Sequence, residues 1–339
     1  MKGDAHDPRR GLAAIGIALL AALFFTFTYV LNRAMASAGG HWAWTASLRY
    51  LLTLPMLLPL MRWQGGIAPV WGALRAHPLA WLGYSAIGFV VFYMALSYAA
   101  DSGPSWLVAG SFQFTVVAGM LCAPLLYRGE HAGDARRRIP RAALAVGVAI
   151  LAGVLLLQFG TAHGALDRAG WVALACVLAS AVLYPVGNRL LLLHLERTGE
   201  ALNATQRVFG MTLASQPLWW LVAAFAWQQT GAPSMAQVAL AAGVALSAGV
   251  VATILFFQAT GMVRDNPVAL GAAEAMQAAE LLFATLLGVG FLHEPWPQGI
   301  ALWGGLLVVA GIAAFAWVVA RPQPPPRRAS DPLPADRGA

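Results

Sequence analysis

Residues 265–294 read DNPVALGAAEAMQAAELLFATLLGVGFLHE. This apolar run opens on Asp265, Asn266 and Pro267, closes on His293 and Glu294, and carries Glu274, Gln277 and Glu280 inside it. Residues 101–130, DSGPSWLVAGSFQFTVVAGMLCAPLLYRGE, have the same length and the same acidic ends, with Pro104 near the start and Gln113 in register with Gln277. About 20 apolar residues cross the hydrocarbon of a bilayer, so both runs are long enough to span one. Two copies, one with internal acids and one without, predict an internally duplicated membrane protein whose halves have diverged around a polar centre.

The rest of the chain fits that reading. Of its 339 residues 59% are hydrophobic and 10% charged, against the roughly 25% charged of a soluble domain. Residues 11–32, 79–100, 102–127, 142–166, 169–188 and 295–320 hold no charged side chain, and the charge-free run 208–263 has room for two spans. Strand-type alternation is absent, so a helical bundle is expected rather than a barrel. The pI near 10 does not point to nucleic acid, because the basic residues sit in short loops and tails. Cys122 and Cys176 lie in apolar runs as small packing residues. The first run is too long for the apolar core of a signal peptide and is kept as a helix.

Ten spans are expected: 11–34, 42–61, 79–99, 104–127, 142–160, 169–193, 204–227, 236–260, 267–292 and 297–320. Residues 65–78 read as an interfacial segment anchored by Trp71 and Leu74, and the Pro-rich 321–339 as a disordered tail. One set of loops collects Lys2, Arg9, Arg10, Arg62, Arg75, Arg128, the run Arg136 to Arg138, Arg141, Arg197, Arg264 and Arg321; the other holds Arg168, with Arg33 near it. That asymmetry puts both termini in the cytoplasm, 1–10 as a short cytoplasmic N-terminus.

Landmarks recur in order: Asn32-Arg33 as Asn188-Arg189, Arg49 and Pro59 as Arg207 and Pro217, Asp101 and Glu130 as Asp265 and Glu294, Gly147 and Gly153 as Gly305 and Gly311, at offsets between 156 and 164 residues. With five spans in each half, the second enters from the opposite side, and the fold class is all-α integral membrane built from two inverted five-helix repeats. The layout, the Asn-Arg of the first helix, Arg49 early in the second, Gly129-Glu130 after the fourth and paired glycines in the fifth and tenth resemble the drug/metabolite transporter superfamily with two EamA domains, 11–160 and 169–320. The opening, FFTFTYVLNR (24–33) and WAWTASLRY (42–50), is similar to members described as putative multidrug resistance efflux transporters. The resemblance implies efflux of a small organic solute or drug from the bacterial inner membrane.

Acids inside a span are expensive and mark function by default. On a helix Glu274, Gln277 and Glu280 fall within an arc of about 120°, a polar stripe suited to a cavity wall. The bland reading is a structural ion pair, with Arg207 at the depth of Glu274 and Arg49 nearer Glu280. Arg49 and Arg207 read as locks or as anion-attracting groups, and Gln113 and Gln277 as bonds across the repeat interface or substrate contacts. Asn32 and Asn188, each followed by Arg, read as hydrogen-bonding caps near helix ends. Asp101 and Asp265 read as residues of helix starts, with Asn266 as cap and Pro267 in the first turn. Trp219, Trp220 and Trp303 are deep enough to line a cavity, while the other tryptophans form an interfacial belt.

No catalytic, cofactor or metal constellation appears: Pro295 interrupts any zinc helix after His293-Glu294, and no phosphate loop or nucleophile elbow is present. The expectation is a secondary transporter working by alternating access on a small-molecule substrate, a monomer or homodimer in the lipid bilayer, with Glu280 or Glu274 exchanging a proton. The small four-helix drug exporters carry their coupling acid in the first helix, where this chain has none, which leaves facilitated or exchange transport as alternatives. Competing functions are a carrier for amino acids or nucleotide precursors and a non-transporting scaffold or lipid-handling enzyme.

Overall fold

The computed structural model describes residues 8–102, 105–127, 139–159, 168–292 and 296–320. Every regular element among them is helical, as a lipid environment demands of backbone groups that no water can satisfy. The chain runs through α1 (Pro8–Ser37), α2 (Trp42–Met61), a short α3 (Ala68–Ala76) and α4 (Pro78–Ser85), which continues through a π segment (Ala86–Val91) into α5 (Phe92–Ser102). Then α6 (Ser105–Phe112) meets α7 (Thr115–Leu126) across a turn at Gln113 and Phe114, followed by α8 (Arg141–Phe159), α9 (Arg168–Thr198) and α10 (Ala204–Thr230). A second π segment (Ala245–Ala252) joins α11 (Met235–Val244) to α12 (Thr253–Met262), and a 3-10 turn (Met276–Ala278) joins α13 (Pro267–Ala275) to α14 (Ala279–Leu292), before α15 (Ile300–Ala320). Seven of these helical runs are long and apolar enough to cross a membrane, with shorter apolar helices at Gly110–Leu126 and Arg141–Leu157.

Helix ends are written in the sequence where polar residues interrupt it. Asn203 and Gln206 form a reciprocal capping box on α10, which satisfies two otherwise orphaned amides. Asn266 accepts from the amides of Val268 and Ala269 with Pro267 in the first turn, as read from the sequence. Asp101 is different: it lies in the last turn of α5, not at a helix start. The two asparagine-arginine pairs are not at helix ends either. Asn32 sits inside α1, and α9 continues past Asn188 and Arg189 through Leu190 to Thr198.

Two large apolar cores form, beside a small cluster of Ala123, Tyr127 and Leu193. One gathers α1, α2, α4, α5, α9, α10 and α12 around Trp81, Phe89, Tyr93, Phe209, Trp219, Phe256 and Phe257. The other joins the start of α1 to α7, α8, α13 and α15 around Ile15, Met120, Ile150, Leu270 and Phe315. Helices approach closely where glycine removes a side chain. A Cβ on Gly153 would lie 2.8 Å from the Gly304 carbonyl across the α8–α15 contact, and one on Gly304 would collide with the backbone of Gly153 and Leu157. Likewise, α9 crosses the first π segment where Gly187 meets Gly88.

The outer surface is apolar, with Trp220, Leu221 and Trp303 each more than 60% exposed, as expected of side chains facing lipid. Trp219 instead is fully buried and stacked on Tyr50 at 4.6 Å; none of the three lines an interior cavity described below. In α3 the exposed Trp71 lies under the Arg75 guanidinium at 5.1 Å, whereas Leu74 turns inward against the first core. Of the paired acids, Glu130 and Glu294 lie outside the described residues, as do 1–7 and 321–339.

Candidate functional site

A cavity forms at the seam between the two cores. Phe25, Phe92, Leu96, Phe112 and Tyr184 reach it from the first core. Gln277 and Glu280 reach it from the 3-10 turn and the start of α14, whose neighbours Met276, Ala278 and Leu281 belong to the second. Thr28, Tyr29 and Arg49 complete the lining. Its volume is about 20 Å³, room for roughly one water, so the site is too narrow for an organic solute in this conformation.

Glu280 is 2% exposed. The Tyr29 hydroxyl lies near its carboxyl group, and Thr26 Oγ1 donates to its backbone carbonyl at 3.3 Å as well as to that of Ala22 at 2.9 Å. Arg49, also buried, places its guanidinium 4.1 Å from the centre of the Tyr93 ring and 5.3 Å from that of Tyr50, a cation–π arrangement. Around these two charges hydrogen-bonding capacity is left over. Thr28 Oγ1, the Tyr184 hydroxyl, Arg49 Nε and both ends of the Gln277 amide are buried without a partner. Most buried polar groups in folded proteins are paired; a cluster of unpaired ones on a single cavity is what a ligand site looks like.

The aromatic wall is dense. Tyr184 stacks on Phe256 at 5.3 Å and meets Phe92 at 4.8 Å and Phe25 edge-on at 6.2 Å. Ring faces of this kind carry negative potential.

Glu274 belongs elsewhere. Its two oxygens accept from Arg189 Nε at 2.8 Å and Nη2 at 2.7 Å, a bidentate pair with side chains only 4% and 1% exposed. Gly119 on α7 makes the space: a methyl group there would collide with the Glu274 carboxylate. The partner expected from the sequence, Arg207, is not the one found, because α9 carries Arg189 inward and does not end beside it. The stripe Glu274, Gln277, Glu280 is therefore split, its last two members lining the cavity and its first neutralised by an arginine.

Arg207 donates to the Phe257 carbonyl and lies 5.6 Å from that residue's ring centre, with Gly261 leaving room for it. It lines a second cavity, toward the face where α1 begins and α9 ends. Gln113 is buried at the α6–α7 turn with Oε1 unpaired and is not part of the central lining. The asparagines bond across helices: Asn32 with the Tyr93 hydroxyl at 3.1 Å, and Asn188 Nδ2 to Thr260 Oγ1 at 3.0 Å. Sequence reasoning missed the aromatic members Phe25, Tyr29, Phe92 and Tyr184, which carry no mark that separates them from ordinary apolar packing, and it missed Arg189 as the partner of Glu274.

A narrow cavity of aromatic rings and a few buried polar groups, set at the seam of a multi-helix membrane bundle, suits a transport protein. The comparisons with known proteins agree: residues 12–321 match the EmrE family, described as putative multidrug resistance efflux transporter, and the chain belongs to that family. It is 39% identical to the "Uncharacterized protein YjlA" of Bacillus subtilis (strain 168) over 328 residues, 96% of this chain and 100% of that one. It is 38% identical to the "Uncharacterized 42.1 kDa protein in intracellular alkaline protease 3'region" of Shouchella clausii over 280 residues, 82% of this chain and 72% of that one. A solved structure, titled "Crystal structure of protein", has a similar fold with a TM-score of 0.60 at 18% identity, over 91% of this chain and 97% of the other.

Proposed function

We propose that this protein is a secondary transporter that exports a small organic solute by alternating access, with Glu280 as the group that alternately holds the solute and a proton. The observation that carries this is the contrast between the two membrane acids: Glu274 is locked to Arg189, whereas Glu280 faces a cavity of aromatic rings and unpaired polar groups. A carboxylate in such surroundings suits an organic cation with apolar rings, held by charge and by ring faces. Tyr29 and Arg49 offer the carboxylate alternative partners when the solute has left.

Ten spans in two inverted repeats, 11–160 and 169–320, are part of the proposal. Its support is a set of paired irregularities. The π segments Ala86–Val91 and Ala245–Ala252 occupy corresponding places, as do the turn at Gln113 and the 3-10 turn holding Gln277. Helices broken at matching points of two halves are a mark of transporters that bind at the midplane. With the basic loops on one side, the N- and C-termini are assigned to the cytoplasm and the bilayer to the bacterial inner membrane.

A second reading rests on Arg49. It lines the same cavity as Glu280, and opposite charges there would suit a zwitterionic metabolite such as an amino acid. Proteoliposomes loaded with a proton gradient separate the readings. Efflux of aromatic cations that depends on the gradient, and loses that dependence in Glu280→Gln, is expected; flux of zwitterions alone would favour the carrier. No flux of either class would leave a non-transporting membrane protein.

A further inference from the structure

The second cavity has a volume of about 620 Å³ and is bordered by the first turn of α1, the end of α9, the start of α10 and the end of α12. Arg207 lines it and is 4% exposed. Its Nη2 donates to the Phe257 carbonyl, but Nε and Nη1 are buried without a partner. No salt bridge joins it to an acid among the described residues. A guanidinium withdrawn from water without a counter-charge costs several kcal/mol, and its planar fork of donors matches an oxyanion.

The cavity wall adds Arg10 and Arg264, the latter 3.9 Å from Asp265 in a loose surface pair. Two acids also line it. Glu196 already has a partner, while Glu200 keeps one buried oxygen unpaired. With Asp265 beside Arg264 the acids match the arginines in number, but the most deeply buried charge, Arg207, has no acid against it among the described residues. We infer that this cavity is a binding site for a phosphate group, taken by Arg207 in the wall and by Arg10 and Arg264 beside it. Its volume lies in the range of small-molecule sites, so the phosphate would be carried by a soluble organic ester or by a lipid headgroup. The site is separate from the central cavity and does not depend on what the central cavity moves.

Calorimetric titration of the full-length protein in maltoside micelles with inorganic phosphate tests this, together with native mass spectrometry from nanodiscs of phosphatidylcholine with and without phosphatidylglycerol. Saturable phosphate binding that weakens about tenfold or more in Arg207→Gln, with Arg49→Gln unaffected, assigns the site to a soluble phosphate. Phosphatidylglycerol retained by the wild type and lost from Arg207→Gln assigns it to the bilayer. If Arg207→Gln does not fold, the cavity wall serves: Arg10→Gln with Arg264→Gln should weaken binding and Glu200→Gln should strengthen it. Absence of both phosphate and lipid binding, or the same affinity in all variants, overturns the assignment.

Discussion

Glu274 and Glu280 lie on one segment and meet opposite surroundings. Removing the charge of Glu274 strands Arg189 in a site where both side chains are almost fully buried, and breaking such a pair costs about 3–5 kcal/mol. Glu274→Gln should therefore lower the thermal unfolding midpoint in detergent, and Arg189→Gln added to it should recover part of the loss; a double variant no better than the single one would mean that the pair is not a unit. The sequence identified both acids, because charge within a charge-free run stands out. It could not say which one is neutralised. That depends on where α9 ends, and the apolar residues Leu190 to Leu193 extend that helix past the Asn-Arg pair that had looked like its end. The ring wall was less legible still, since Phe and Tyr in a membrane chain are apolar filler until three helices bring Phe25, Phe92 and Tyr184 together.

Among the helices, small residues at adjacent sequence positions do unequal work. Gly304 faces the backbone of α8, whereas a Cβ on its neighbour Gly305 would meet only side-chain atoms at 3.9 and 4.0 Å. Gly304→Ala should cost roughly 1–3 kcal/mol, the usual penalty of overpacking, and Gly305→Ala almost nothing. Unfolding of the two variants side by side, followed by tryptophan fluorescence, checks this, and equal losses would show that α8 and α15 do not meet as described. Hydrophobicity and loop charge made most helices legible. The π segments and the 3-10 turn were not, because they arise from one residue more or fewer per turn and leave no compositional trace. The 3-10 turn and the α6–α7 turn nonetheless coincide with residues the sequence had paired: Gln277 and Gln113 both fall at breaks.

Across the whole molecule the two cavities differ in volume by more than an order of magnitude, about 620 Å³ against about 20 Å³. The centre is thus too narrow for a solute, and the wider cavity lies toward the face from which α1 starts. After Cys122 and Cys176 are replaced by Ala, a cysteine at Gln258, on the wall of the larger cavity, should react with a membrane-impermeant maleimide added from that face. One at Phe112, in the central lining, should be slow. Reaction of Phe112→Cys at the same rate would contradict the narrow centre. The first helix also joins both cores, Ala14, Ile15 and Ala18 to one and Ala21 and Phe25 to the other, and Gly11 fits against Val319 of the last helix. During synthesis, the first turns of α1 must wait without this cover until every helix between them and α15 has been made and α15 arrives to close against them.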